Sequence, residues 1–198
     1  MLSFKVNRYK TMRMKGSSVF YFRGNKERTV SFSGYRPHKF DFSLIEGSEY
    51  DLFTARLFDE ITNAIENDYD TFISGAAPGF DIVAAELVIF AKRVYPEKGI
   101  KLICALPYGN FKDSKHFDSR WRDRYDSVID HCHKTIYVTN STIETIYCYD
   151  RRNKFMVDNC SQLICYHNGK SGGTESTIKY AESRNIKIVN IAACSQSL

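Results

Sequence analysis

The chain has 198 residues, of which 43% are hydrophobic, 26% charged and 14% aromatic, with 4 Pro and 11 Gly. That length suits one domain, or one domain with an arm, and the apolar content suffices for a packed core. The composition excludes a disordered chain, a collagen-like repeat and a small disulfide scaffold, and no run reaches the roughly 18–20 apolar residues of a membrane span.

The net charge of +5 is unevenly spread: residues 1–28 carry 8 Lys/Arg against one acid, Glu27, whereas residues 29–198 carry 20 against 22. The front is therefore +7 and the rest −2. Residues 1–28 read as a basic N-terminal arm, and residues 29–198 as a single domain. The arm is either a solvated leader or a segment that attracts nucleic acid, with Phe4, Tyr9, Phe20, Tyr21 and Phe22 available for base stacking. It does not read as a secretion signal, because Lys and Arg recur through Arg13, Lys15 and Arg23 and the apolar cluster Val19–Phe22 is short. Without such a signal, the six cysteines, which show no paired spacing, are expected to be reduced in a cytoplasm. His131-Cys132-His133 has no second ligand pair at useful spacing, so no metal site is expected, and no cofactor.

From Thr29 onward, β-rich runs alternate with helical ones. Strands are expected over 29–33, 71–74, 101–106, 135–138, 162–166 and 186–191. The intervening helices are expected over about 50–67, from a cap at Asp81 to about 95, in the second half of 108–130, over about 150–159 and over about 175–184. Alternation of this kind, with short apolar strands, predicts an α/β fold: a Rossmann-like three-layer sandwich with a mainly parallel sheet of about six strands.

In such sheets ligands bind beyond the carboxyl ends of the strands. Four loops there hold seven of the 11 glycines: Ser33-Gly34-Tyr35-Arg36, the stretch Ser74-Gly75 through Gly79 to Asp81, Pro107-Tyr108-Gly109, and Gly169 through Gly172-Gly173-Thr174 to Ser176-Thr177. Glycine admits close approach of a ligand to the backbone, and free N–H groups at a helix start suit phosphate; tight β–α turns also need glycine for themselves. The loops match neither the dinucleotide fingerprint nor the P-loop, which disfavours NAD or ATP in their usual geometry. Glu86 lies at helical spacing from Ile82, Val83, Ile89 and Phe90, so it is either hydrogen-bonded, protonated or swung to the surface. Arg152, next to Asn153, either clamps a phosphate or carboxylate or belongs to a solvated Arg151-Arg152 pair.

Taken together, these segments resemble the SLOG superfamily and, within it, the YpsA-like branch of bacterial and phage proteins. The matching residues are Phe32-Ser33-Gly34-Tyr35-Arg36-Pro37, Phe72-Ile73-Ser74-Gly75, Gly79-x-Asp81-x-x-Ala84-Ala85-Glu86, Trp121 and Tyr125, Arg152-Asn153-x-x-Met156-Val157-Asp158, and Gly172-Gly173-Thr174 with Thr177. The resemblance covers about residues 29–192. It implies a Rossmann-like domain that binds a nucleotide or a nucleotide-derived, ADP-ribose-like ligand, as a sensor or sequestering protein, with phosphate at Gly172-Gly173-Thr174. Two other activities occur in the superfamily. The Lonely Guy phosphoribohydrolases cleave the N-glycosidic bond of nucleoside 5′-monophosphates, and they pair an Arg-Lys-x-x-Met helix with Pro-Gly-Gly-x-Gly-Thr-x-x-Glu. Arg152 and Met156 fit the first motif. In the second, Gly169, Lys170 and Ser171 replace the proline and two glycines, and Thr177 replaces the glutamate. An N-glycosidase here would therefore use Arg152 with Glu175 or Glu86 as its catalytic carboxylate. The DprA-like branch binds single-stranded DNA. Relatives in the enzyme branch also imply a possible homodimer.

Overall fold

The computed structural model describes residue 22 and residues 24–192. Six strands form one sheet: β1 (Thr29–Ser33), β2 (Thr71–Ser74), β3 (Lys101–Leu106), β4 (Lys134–Tyr137), β5 (Gln162–Cys165) and β6 (Lys187–Asn190). Five helices connect them: α1 (Ser48–Glu66), α2 (Phe80–Val94), α3 (Ser119–His131), α4 (Ile146–Asp158) and α5 (Gly173–Ser183). All strand pairs are parallel and their order is β4-β3-β2-β1-β5-β6. The fold is the α/β, Rossmann-like arrangement that the alternation predicts.

Side-chain alternation shows the three layers. Val30, Phe32, Phe72, Leu102, Cys104, Leu106 and Ile164 face a core shared with Leu57, Ile61, Ile82, Val83 and Val128 of α1, α2 and α3. Their neighbours Ile73, Ile103 and Ala105 pack instead with Met156 of α4, and Leu163 and Cys165 with Val157 of α4 and Ala181 of α5. Strands covered on both faces must be apolar on both, and β2 and β5 are buried at every position.

Several boundaries differ from expectation, each for a local reason. α4 begins at Ile146, not near Asp150, because Thr145 caps it: the Thr145 hydroxyl accepts from the Cys148 amide at 3.2 Å. Asp81 does not cap α2. The cap position is Gly79, and the Asp81 carboxylate accepts instead from Arg152. α5 starts at Gly173, directly after Gly172. Packed structure also extends ahead of Thr29. Ser161 donates to Glu27 O at 3.0 Å, Arg28 pairs with Asp70 at 3.2 Å, and Phe22 packs beside Phe155 against the Ile103–Ile136 cluster. The remainder of the basic arm lies outside the described residues. Among the described residues no helix is long and apolar enough to cross a membrane, and no group of three or more His, Cys, Asp or Glu could hold a metal ion.

Burial pushes the Cys160 thiol up to about 11 and the Cys165 thiol up to about 12. Both therefore stay protonated and shielded at pH 8. A thiol reagent at that pH, with labelled peptides mapped by mass spectrometry, should leave Cys160 and Cys165 unmodified in the native protein and label both in guanidinium. Native labelling of either would contradict this packing.

Candidate functional site

The order of the strands fixes where a ligand can enter. From β1 the chain winds outward through β2 and β3 to β4, then α4 carries it back across to β5 on the other side of β1. The direction of winding thus reverses between β1 and β5, and their following loops diverge to leave a crevice at the carboxyl ends. A cleft of about 280 Å³ lies there, lined by Ser33, Gly34, Tyr35, Arg36 and Lys39 after β1, Ala77 and Asp81 at the start of α2, His116 before α3, Tyr149, Arg152 and Asn153 on α4, and Gly173 and Thr174 at the start of α5.

At its base is a buried ion pair. Arg152 Nη1 lies 3.3 Å from Asp81 Oδ2, with both side chains under one-tenth exposed. Burial pushes the Asp81 carboxyl up, against the pull of Arg152 and Arg36, and pushes the Arg152 guanidinium down. Gly75 makes the pair possible: a Cβ there would sit 1.5 Å from Arg152 Nη1. The rest of this loop is equally constrained. Ala76 takes a left-handed φ of 49°. Ser74 donates to Asp81 O at 2.7 Å and accepts from the Ala76 amide at 3.1 Å, which fixes the turn.

The second guanidinium, Arg36, packs 5.8 Å from the Tyr149 ring centre and 6.0 Å from that of Phe111. Asp81 is thus paired with Arg152 and feels the charge of Arg36 as well. Among the described residues, Arg36 Nη1 and Arg152 Nε are buried without a hydrogen-bond partner. A charged group left in that condition costs free energy that an incoming anion would recover. The amide end of α5 opens into the same cleft and is a further anion-receptive group.

Tyr35 holds the two walls together. Its hydroxyl accepts from the Asn168 amide at 3.1 Å and the Lys170 amide at 2.9 Å, and lies 3.1 Å from Lys170 O. Its backbone carbonyl accepts from the Phe80 amide at 3.1 Å. Gly79 allows that contact, with a φ of 100° and only 2.4 Å between a hypothetical Cβ and Tyr35 O. Two lysines complete the stitching: Lys39 donates to Ser171 O at 2.7 Å, and Lys170 donates to Lys39 O at 2.8 Å and pairs with Asp41 at 2.6 Å.

The family model for YpsA, the YspA SLOG family, matches residues 30–194. The chain belongs to that family. No curated protein matches the chain significantly. Among solved structures, DNA processing protein A from Helicobacter pylori, described for its single-stranded DNA binding mode, is 16% identical with a TM-score of 0.53, over 81% of this chain and 63% of that one. DNA processing protein A from Streptococcus pneumoniae is 14% identical with a TM-score of 0.46, over 84% of this chain and 60% of that one. The chain spans less than two thirds of either neighbour, and at such identities the first likeness shows the fold alone.

Within this SLOG domain the site residues expected from the sequence separate into three groups. Ser33, Gly34, Tyr35, Arg36, Asp81, Arg152, Asn153, Gly173 and Thr174 line the cleft. Ser74, Gly75 and Gly79 lie beneath it and shape its floor, as described above. Gly172 sits beside the cleft, close enough that a Cβ would meet Lys39 Nζ at 2.6 Å. The remainder are elsewhere. Glu86 accepts both Nε and Nη2 of Arg124, at 2.8 and 2.5 Å, between α2 and α3, and Arg124 in turn covers the Trp121 ring at 4.4 Å. Glu175 pairs with Lys179 on the outer face of α5, which holds its carboxyl below the usual range. Pro107 only accepts the Thr139 hydroxyl at 2.6 Å. Thr177 hydrogen-bonds back to Gly173 O at 2.7 Å, and with Ser176 it lines a small outer hollow of about 30 Å³. Sequence reasoning missed five lining residues: the apolar Phe32 and Ala77, and the polar Lys39, His116 and Tyr149. Lys39 was visible as a base three residues after Arg36, but His116 and Tyr149 come from segments whose arrival at the cleft depends on tertiary contacts.

Replacing Tyr35 with Phe keeps the ring and removes the hydroxyl. The Asn168 and Lys170 amides should then exchange hydrogen markedly faster, with a stability loss of about 1–2 kcal/mol. Unchanged exchange at both amides would show that the loop does not depend on this hydroxyl.

Proposed function

We propose that this cleft binds a phosphate-bearing nucleotide or a nucleotide-derived, ADP-ribose-like ligand, and that the protein acts as a sensor or sequestering module for it. One observation carries the reading: Arg36 and Arg152, each with a buried N–H that lacks a hydrogen-bond partner among the described residues, line the cleft beside the amide end of α5, together with a single carboxylate, Asp81, that is paired with Arg152. Guanidinium forks and helix amino ends both favour phosphate oxygens, and a bound phosphate supplies the missing acceptors.

An N-glycosidase is less well supported. Its transition state is a cationic sugar that needs a nearby carboxylate. The cleft is lined by Arg36, Lys39 and Arg152 against one carboxylate, Asp81, which Arg152 engages. Glu86 and Glu175, the expected substitutes, are paired with Arg124 and Lys179 away from the lining. That environment favours anions over an oxocarbenium ion.

A ligand present at 100 times its Kd adds about 2.7 kcal/mol to stability, which for a domain of this size raises Tm by roughly 5–10 °C. Thermal unfolding with AMP, ADP, GMP and ADP-ribose should show such a shift for at least one of them. Arg36→Gln should weaken that ligand about 10- to 100-fold, the loss of a charge-assisted contact. A panel in which no nucleotide or ADP-ribose derivative shifts Tm would end this reading.

Single-stranded nucleic acid is a second reading. It is favoured by the +7 balance of residues 1–28 and by the binding mode described for the Helicobacter pylori neighbour. Phosphate contacts make such affinity fall steeply with salt. An oligonucleotide titration at two salt concentrations should show weaker binding at the higher salt and weaker binding after deletion of residues 1–21. Affinity indifferent to both would exclude the arm.

A further inference from the structure

One rim of the cleft carries a titratable pair that ligand binding alone does not use. His116, between β3 and α3, lines the cleft. Its Nε2 lies 3.1 Å from Glu144 Oε1, and Glu144 Oε1 also accepts the Tyr149 hydroxyl at 2.9 Å. The imidazole lines the cleft and is 34% exposed, so water reaches it, while the Glu144 carboxylate lies behind the lining, held by His116 and by Tyr149. His116 Nδ1 is the ring nitrogen that Glu144 does not engage. A carboxylate that accepts from one ring nitrogen places the neutral ring's proton there, leaves the other nitrogen's lone pair available, and stabilises the imidazolium once formed.

We propose that His116, oriented by Glu144, is the general base and acid of a hydrolytic activity that cleaves a P–O bond of a nucleotide phosphoric ester or anhydride held in the cleft. The proposal rests on the binding reading for how the substrate is held. In the step, a water O–H bond breaks and its proton passes to His116 Nδ1 while the water oxygen bonds to phosphorus. The P–O bond to the leaving group breaks, and the imidazolium returns the proton to the leaving oxygen, so water and nucleotide become two products with no other reactant. The choice of bond follows from charge. Arg36, Lys39 and Arg152 line the same cleft and stabilise negative charge at phosphorus, whereas the same cations oppose a developing positive charge at an anomeric carbon.

The full-length protein is incubated with AMP, ADP and ADP-ribose in H₂¹⁸O, with products separated by chromatography and phosphate oxygens read by mass spectrometry. The melting temperature with each compound is recorded in parallel. Product carrying one ¹⁸O on phosphorus is expected from at least one of the three. His116→Asn should lower kcat about 100-fold or more with KM and the melting shift retained. Glu144→Gln should lower kcat by less, since an amide cannot stabilise the imidazolium. No product above the buffer blank, wild-type turnover by His116→Asn, or product free of ¹⁸O at phosphorus would each overturn the proposal. A melting shift without product overturns hydrolysis and leaves binding standing, whereas failure of every compound to shift the melting temperature counts against the binding reading itself.

Discussion

The Asp81–Arg152 ion pair is the constraint around which the carboxyl end of the sheet is built. Each partner is withdrawn from water, so neither can be tolerated without the other, and the backbone has adapted to bring them together. Position 75 must lack a side chain because Arg152 Nη1 occupies the space where one would begin. Ala76 adopts a left-handed conformation so that the turn after β2 can deliver Asp81 into the first turn of α2. Ser74 locks that turn from below. The pair also ties α4, on one face of the sheet, to α2, on the other, beside Gly75 at the end of β2. With Arg36 and Lys39 lining the same crevice, cations there outnumber the one lining carboxylate.

A crevice between diverging loops would be floppy unless something held its walls at a fixed spacing. Tyr35 supplies that restraint. Its buried ring belongs to the main core, its carbonyl reaches α2, and its hydroxyl reaches the loop that leads into α5. One side chain therefore couples core packing to the position of the amide groups at Gly173 and Thr174. The reciprocal lysine contacts add a second seam at the solvent side, where they are weaker individually because water screens them. Burial is greatest at the base and at Tyr35 and falls toward the lysines at the mouth.

The layered fold was legible in the sequence because parallel strands buried on both faces leave uniformly apolar runs, and glycine-rich punctuation marks where each one ends. Cleft residues carried on the loops after β1 and β2 and at the start of α5 were legible for the same reason: the motif is local. What stayed hidden depends on partners distant in sequence. Glu86 sits on an apolar helical face, where a hydrogen-bonded carboxylate was one of the expected outcomes, but its partner Arg124 lies 38 positions later, and no periodicity reveals that pairing. Glu175 follows two cleft residues directly, yet it points to Lys179 one helical turn on, since residues four apart share a face. Asp81 has the residue type and place of a helix cap; Arg152 is the competing partner, and the buried charge wins over the exposed role. His116 and Tyr149 carry no motif at all. Their meeting through Glu144 requires the turn after β3 and the start of α4 to fold against each other, as Gly109 and Ser141 do by a backbone bond of 2.9 Å.

Charge also sorts the chemistries that this architecture can support. Fold alone does not choose among sugar–base cleavage, phosphate recognition and nucleic-acid binding. They part where charge develops. A sugar cation calls for a carboxylate free to turn toward it, and the lining carboxylate here is held by a guanidinium that cannot be withdrawn without stranding it. Charge on phosphorus calls for cations already in place, and those are the groups the cleft has in excess. Arg36 makes the distinction sharpest. It packs against Tyr149 and Phe111 with one buried N–H that has no acceptor among the described residues. At the topological switch point, then, lining cations outnumber the lining carboxylate, and that balance favours an anion over a cation in the crevice.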